Sequence, residues 1–449
     1  MKTADMIRVA HFSDLHYGTR TLAEADRCFG AAVDRAMALG ADAAVISGDA
    51  TDHALDLHAP AALRLLSQVR RLADHCPVLV LQGTYSHEPP GTLSVLRLLG
   101  GHHPVFVADR IGQVALGAHG QWIEAAGDRF DAVPAGARAL FCAVPTVNKA
   151  AVAAAVGAAD AGLAMGEHLA VLLRGYAPIH RAARQQGVPT IGVSHGTVFG
   201  CVSEHGVPMA AFDHEFTTGA LFGAEAQAFM LGHIHRHQSW QAEGAAGNQC
   251  IAYPGSIGRF HYGEEGQKGF LLWEVGADGA RCTLQATPAR RTLDIVFDGK
   301  PDLAVLQATV EQHQVTGAFV RVRWTVAEED RHEVDRAAIE RLLSVAAEVK
   351  LEGRIVPVVR SRAEGISRLT GLDDKVRIWA AVTGVNPAPL LACLSKAASA
   401  LPQDIVAQAL RFAQLAASAS ALALALDDDP SGERLAVNFE GANECNHSV

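Results

Sequence analysis

The chain has 449 residues, 49% of them hydrophobic and 19% charged, with a formal net charge of -10. That length allows two or three domains around cores of ordinary size. The charge argues against a uniformly basic nucleic-acid coat, though not against a local basic groove or phosphates held through metal. Eight scattered cysteines without a C-x-x-C pair indicate neither a zinc knuckle nor a disulfide framework. With no signal-peptide pattern and no apolar run of the roughly 18 residues a membrane span needs, a cytoplasmic location is expected.

The first predicted strand, Ile7 to Phe12, runs into Ser13-Asp14-Leu15-His16. A carboxylate and an imidazole two residues apart can turn toward one cation; taken alone, Asp14 serves equally well as a turn or capping residue. A helix-period pattern over residues 22 to 39 and a strand from Ala43 to Ser47 lead to Gly48-Asp49-Ala50-Thr51-Asp52-His53. This places a second acid at a strand's carboxyl end, the edge at which open α/β sheets bind ligands.

A helix over about residues 59 to 73 and the strand Pro77 to Leu81 deliver the turn Gln82-Gly83-Thr84-Tyr85-Ser86-His87-Glu88. A long helical region is expected from Lys149 to about Gln186, then a strand from Pro189 ending in His195, and finally the apolar run Met230-Leu231, which breaks into Gly232-His233-Ile234-His235. One His-x-His pair is weak evidence for metal, but five strand ends in order offer Asp14, His16, Asp49, His87, His195, His233 and His235. Two divalent cations about 3.5–4 Å apart clamp a transferring phosphoryl group. Asp49, between the other motifs and in the tightest turn, is the candidate bridge. Mixed His and Asp donors without cysteine suit Mn, Zn or Fe, and phosphate chemistry tilts the choice toward Mn2+, with Mg2+ as the other option. Residue chemistry thus points to phosphoester hydrolysis.

The order D-x-H, G-D-x-x-D, G…H-E, a strand-end S-H and G-H-x-H resembles the calcineurin-like metallophosphoesterases. The resemblance implies one metal on Asp14, His16, Asp49 and His235, and a second on Asp49, His195 and His233. His87 would assist the transition state or leaving group. The stretch Tyr253-Pro254-Gly255-Ser256-Ile257-Gly258-Arg259 to Glu264, followed by Lys268-Gly269-Phe270, is similar to a signature of the SbcD-type DNA repair nucleases. That likeness implies an α/β fold: a metallophosphoesterase β-sandwich flanked by helices (residues 1–290), a small α/β capping domain that contacts DNA (291–370) and a C-terminal helical segment (371–426). A polar tail, 427–449, is expected to be disordered.

It further implies two divalent metal ions, exo- or endonuclease activity in DNA repair and recombination, an SbcC-like ATPase partner and a homodimer. Arg259, Arg321 and Arg323 are candidate substrate contacts; the two strand arginines serve equally well as a solvated face with local ion pairs. The C-terminal helices read either as an ATPase-docking segment or as an intramolecular hairpin. The family's third motif usually carries an Asn that reaches the second metal. Here the turn is two residues longer and Thr84 or Ser86 is the candidate replacement, a poorer ligand that predicts a weaker or more Mn-dependent second site. The competing readings are a small-molecule or cyclic-nucleotide metallophosphodiesterase and a weakly catalytic DNA-binding scaffold.

Overall fold

A computed structural model describes residues 6–99, 101–147, 161–208, 215–244, 247–357 and 365–411. Residues 1–356 form one compact unit and the remainder a second.

In the first unit one hydrogen-bonded path of strands runs from Val105–Ala108 through Val78–Leu81, Ala43–Ile46 and Ile7–Phe12. It continues through Gly269–Gly276, Gly279–Ala286 and Gly247–Tyr253 to Ala228–Gly232, Thr190–His195, Ala137–Val144, Gly112–Gly117 and Trp122–Glu124. The two arms fold onto each other because alternate side chains on each strand are apolar on both faces. Val9, Val45 and Leu79 of the first arm pack in one buried cluster with Phe141, Ile191, Val193 and Met230 of the second and Trp273 between them. The opposite faces carry helices. Phe12, Ile46 and Val80 pack on Leu22–Ala38 and Pro60–His75, whereas Val144, Phe229 and Leu231 pack on Ala161–Gln185 and Thr218–Phe222. The result is an α/β sandwich with helices on both outer faces. Of the expected helix from Lys149, residues 161–185 are helical; 149–160 fall outside the described residues.

This arrangement fixes where strand ends meet. Ile7–Phe12 pairs in parallel with Ala43–Ile46, Phe12 opposite Ile46, and Thr190–His195 pairs in parallel with Ala228–Gly232, His195 opposite Gly232. Parallel pairing points all four carboxyl ends the same way. The turns carrying Asp14, Asp49, His195 and His233 therefore emerge together.

Beyond Arg290 three parallel strands, Thr292–Asp298, Phe319–Ala327 and Glu348–Val356, form a small sheet with Phe319–Ala327 in the middle. Val320, Val322, Trp324 and Val326 pack with Leu306, Ile339 and Leu343 from its helices. The alternate residues Arg321 and Arg323 lie on the other face.

In the second unit Leu372–Thr383 ends on Gly384 at φ 73°, a left-handed cap suited to glycine, and is followed by Ala388–Ser399. Residues 402–411 are helical. The rest of the expected C-terminal helical segment and the tail 427–449 lie outside the described residues. No helix among the described residues is long and apolar enough to cross a membrane.

Candidate metal centre

The first arm supplies Asp14, His16 and Asp49. Asp14, His16 and Asp49 sit at φ 51°, 47° and 51°, and His233 from the second arm at 100°. Non-glycine residues adopt the left-handed region rarely and at a cost of ~1–3 kcal/mol each, and they persist where neighbours over-determine them. Here the turns tie each other down: the backbone N–H groups of Asp14 and His16 donate to Gly48 and Asp49 carbonyls at 3.1 and 3.0 Å. His233 N–H donates across the sandwich to both Asp14 carboxylate oxygens at 3.2 Å.

Two glycines permit the close approach. A Cβ on Gly83 would meet the Asp49 backbone nitrogen at 2.2 Å, and one on Gly48 would meet His195 Nδ1 at 2.3 Å. No other residue type fits at either position.

Among the described residues, potential donors with ligand atoms within 4.8 Å of one another form four overlapping groups. Two are built from the expected residues, Asp14, His16 and His235, and Asp49, His195 and His233, while His16 also groups with Asp52 and His87, and His235 with His261 and Glu264. In the first, His16 Nε2 lies 2.9 Å from His235 Nε2, which is 3.7 Å from Asp14 Oδ1. Ser13 donates to Asp14 Oδ2 at 2.5 Å. In the second, His195 Nδ1 donates to the Ser47 carbonyl at 2.8 Å, which turns the lone pair of its Nε2 toward Asp49 Oδ2 at 3.3 Å.

Charge follows the same pattern. Burial disfavours the charged His195 ring, but Asp49 beside it outweighs this and raises its pKa to about 10. Burial also works against the Asp49 carboxylate, and His195 overrides it, holding Asp49 well below the usual carboxylate range. For His16, burial is overcome by Asp52, Asp49 and Asp14, which raise it, while burial together with His16 and Lys268 holds His235 well below an ordinary histidine. The buried carboxylates thus draw positive charge toward this end of the sheet. The buried His235 Nδ1 has no hydrogen-bond partner. These donor sets fit two divalent cations with nitrogen and oxygen ligands.

Thr84 and His87 arrive on the turn after Val78–Leu81. Thr84 N–H donates to Asp49 Oδ1 at 2.6 Å, and its hydroxyl lies 3.2 Å from both Asp49 Oδ2 and His195 Nε2. Ser86 is exposed and is not among the residues lining the site cavity. His87 Nδ1 donates to the Asp52 carbonyl at 2.7 Å, and its ring meets that of His16 edge-on at 4.9 Å. Glu88 is a strut: fully buried, it accepts from Ala50, Thr51 and Gly83 N–H, and burial together with Asp49 raises its pKa to about 7.

A cavity of about 1010 Å³ opens over both groups, and its lining includes Arg20, Arg290, Arg321 and Lys350 with Phe260, Tyr262 and Phe319. Arg321 stands 5.3 Å over the Tyr262 ring and is doubly bonded to Asp294. Arg323 shares that carboxylate and is not part of the lining. Arg259 donates from its guanidinium to the backbone carbonyls of Glu264, Arg290 and Gly266, and it lines a separate shallow groove. Three of its five N–H donors hold the loop. The positions that reach the cavity are its neighbours Phe260, His261 and Tyr262, which the sequence reading did not single out. Their only signal is their place between Arg259 and Glu264.

No family model matches the chain, and no curated protein matches it. Among solved structures it is similar to a dimetal phosphatase from Danio rerio at 11% identity and a TM-score of 0.36, over 62% of this chain and 98% of that one. A likeness that distant transfers neither residues nor substrate.

Proposed function

We propose that the chain is a metal-dependent phosphodiesterase that cleaves DNA, the nuclease subunit of an SbcC-like ATPase complex. The observation that carries the reading is the pair of His and Asp groups under one cavity whose far wall belongs to the small sheet. Two divalent cations, Mn2+ or Mg2+, would supply Lewis acidity, an activated water and charge neutralisation of the phosphate. Asp14, His16 and His235 would hold the first and Asp49, His195 and His233 the second, and Asp49 is the carboxylate that could serve both.

His87 keeps its Nδ1 proton on the Asp52 carbonyl, so it would act as the acid in its doubly protonated form, giving the Nε2 proton to the leaving oxygen and returning to the neutral Nδ1–H ring. Arg290, Arg321 and Lys350 line the same cavity as the donors, and cations of this kind contact phosphates of a polymer backbone. The helical second unit exposes Leu372, Val382, Leu390, Leu401, Ile405 and Leu410. This supports its use as the ATPase-docking segment, with homodimerisation part of the same assembly.

The test compares duplex DNA, single-stranded DNA and bis-p-nitrophenyl phosphate with Mn2+ for the native chain and Asp49→Asn. The nuclease reading expects cleavage of DNA and of the small ester, both lost in the variant. Cleavage of the ester with neither DNA form touched would leave the small-molecule phosphodiesterase, and binding of DNA without hydrolysis of any of them would leave the scaffold.

A further inference from the structure

We propose that the Thr84 hydroxyl is a ligand of the second cation and that this neutral oxygen makes that cation the looser of the two. The inference rests on the two-cation reading above and adds one residue to it.

Three potential donors stand in a nearly equilateral triangle. Thr84 Oγ1 is 3.2 Å from Asp49 Oδ2 and 3.2 Å from His195 Nε2, and those two are 3.3 Å apart. Cation bonds of ~2.1 Å place neighbouring ligand atoms ~3.0 Å apart in an octahedral arrangement and ~3.4 Å apart in a tetrahedral one. The triangle therefore has the dimensions of one face of either polyhedron.

The atoms at its corners are ones a cation takes. His195 holds its Nδ1 on the Ser47 carbonyl, which leaves Nε2 as the ring atom facing the triangle, and the Asp49 carboxylate and the Thr84 hydroxyl each offer an oxygen to it. A cation in front of the triangle satisfies all three, and His233 completes the group with Asp49 and His195.

The chain brings Thr84 here by specific means. Gly83, whose missing Cβ allows contact with Asp49, sets the turn. The Thr84 N–H bond of 2.6 Å to Asp49 Oδ1 then fixes the carboxylate so that Oδ2 faces the hydroxyl. Ser86, two residues on, is exposed. Each group has a carboxylate and two imidazoles; with Asp49 shared, the first position would have a second carboxylate where the second would have the Thr84 hydroxyl. A hydroxyl carries no charge and binds a hard cation less strongly than a carboxylate, so the loading of the two positions is unequal.

The experiment is Mn2+ titration of the metal-free full chain by calorimetry, with free Mn2+ followed by electron paramagnetic resonance. The native chain should bind two ions with distinct affinities. Thr84→Ala should weaken the second by at least ~10-fold, the loss typical of removing even an outer-shell partner, and leave the first unchanged. Thr84→Ser should restore it and Thr84→Asn, with an amide oxygen, should match or exceed the native value. Ser86→Ala should change neither, and thermal melts of each metal-free variant report whether it is folded. An unchanged second affinity in folded Thr84→Ala, or two equally tight sites in the native chain, overturns the inference while leaving the two-cation reading intact. A native chain that binds no Mn2+ overturns that reading itself.

Discussion

Lys268, with 2% of its surface exposed, donates from Nζ to the backbone carbonyl of His235 at 2.7 Å. The same ammonium meets Ser256 Oγ at 2.8 Å and the buried Glu264 carboxylate at 2.5 Å, while the other Glu264 oxygen accepts from Phe260 and His261 N–H. The residues between Tyr253 and Phe270 thus brace the loop that carries His235 from behind. Removing one partner of a buried ion pair typically costs ~3–5 kcal/mol, because the other charge is left uncompensated. Lys268→Met should lose stability of that order in urea unfolding. Lys268→Met with Glu264→Gln should lose less than Lys268→Met alone; equal losses would show that the pair is not coupled.

Metal binding should be visible as stability. A ligand at 100 times its Kd stabilises the folded state by ~2.7 kcal/mol. Addition of Mn2+ should raise the native melting temperature, and Asp49→Asn, which lacks the shared charge, should show a markedly smaller rise. An equal rise in both proteins would place the ions elsewhere.

His87→Ala should lower the rate on DNA by ~10²–10⁴-fold, the usual contribution of a positioned acid. Bis-p-nitrophenyl phosphate releases a phenolate that needs no proton, so its hydrolysis should fall much less. Mn2+ affinity should be unchanged. Equal losses on both substrates would remove the acid role.

Two buried histidines away from the site couple stability to pH. His11 accepts from Trp273 and donates to Ser47, and burial, then the nearby His237, lowers its pKa to about 3. Burial lowers His180 to about 4. Both are neutral when folded, whereas the unfolded chain takes up protons near the ordinary value of about 6.5. Stability is therefore lost as pH falls below that value. Each group should contribute about 2 kcal/mol of loss between pH 7 and 5. In His180→Phe the difference in unfolding free energy between these two pH values should shrink by about that amount; an unchanged difference would show that His180 takes no part.

Much of this was legible before the fold was known. A carboxylate or imidazole after each apolar run identifies strand ends, and parallel strands deliver their ends to one edge, so Asp14 and His233, 219 positions apart, could be placed together. What spacing does not reveal is which donors are already spent. Arg259 reads as a free cation but serves three carbonyls; Arg321 and Arg323 alternate along a strand as expected, yet both close on Asp294 of the neighbouring strand. Thr84 and Ser86 are chemically alike, and only the backbone path around Gly83 separates them.

The left-handed turns at Asp14, His16, Asp49 and His233 have one more consequence. Their backbone is cross-tied by hydrogen bonds that run between turns far apart in the chain. A substitution that relaxes one turn therefore displaces donors on the others as well, so damage at a single strand end should be felt by both donor groups.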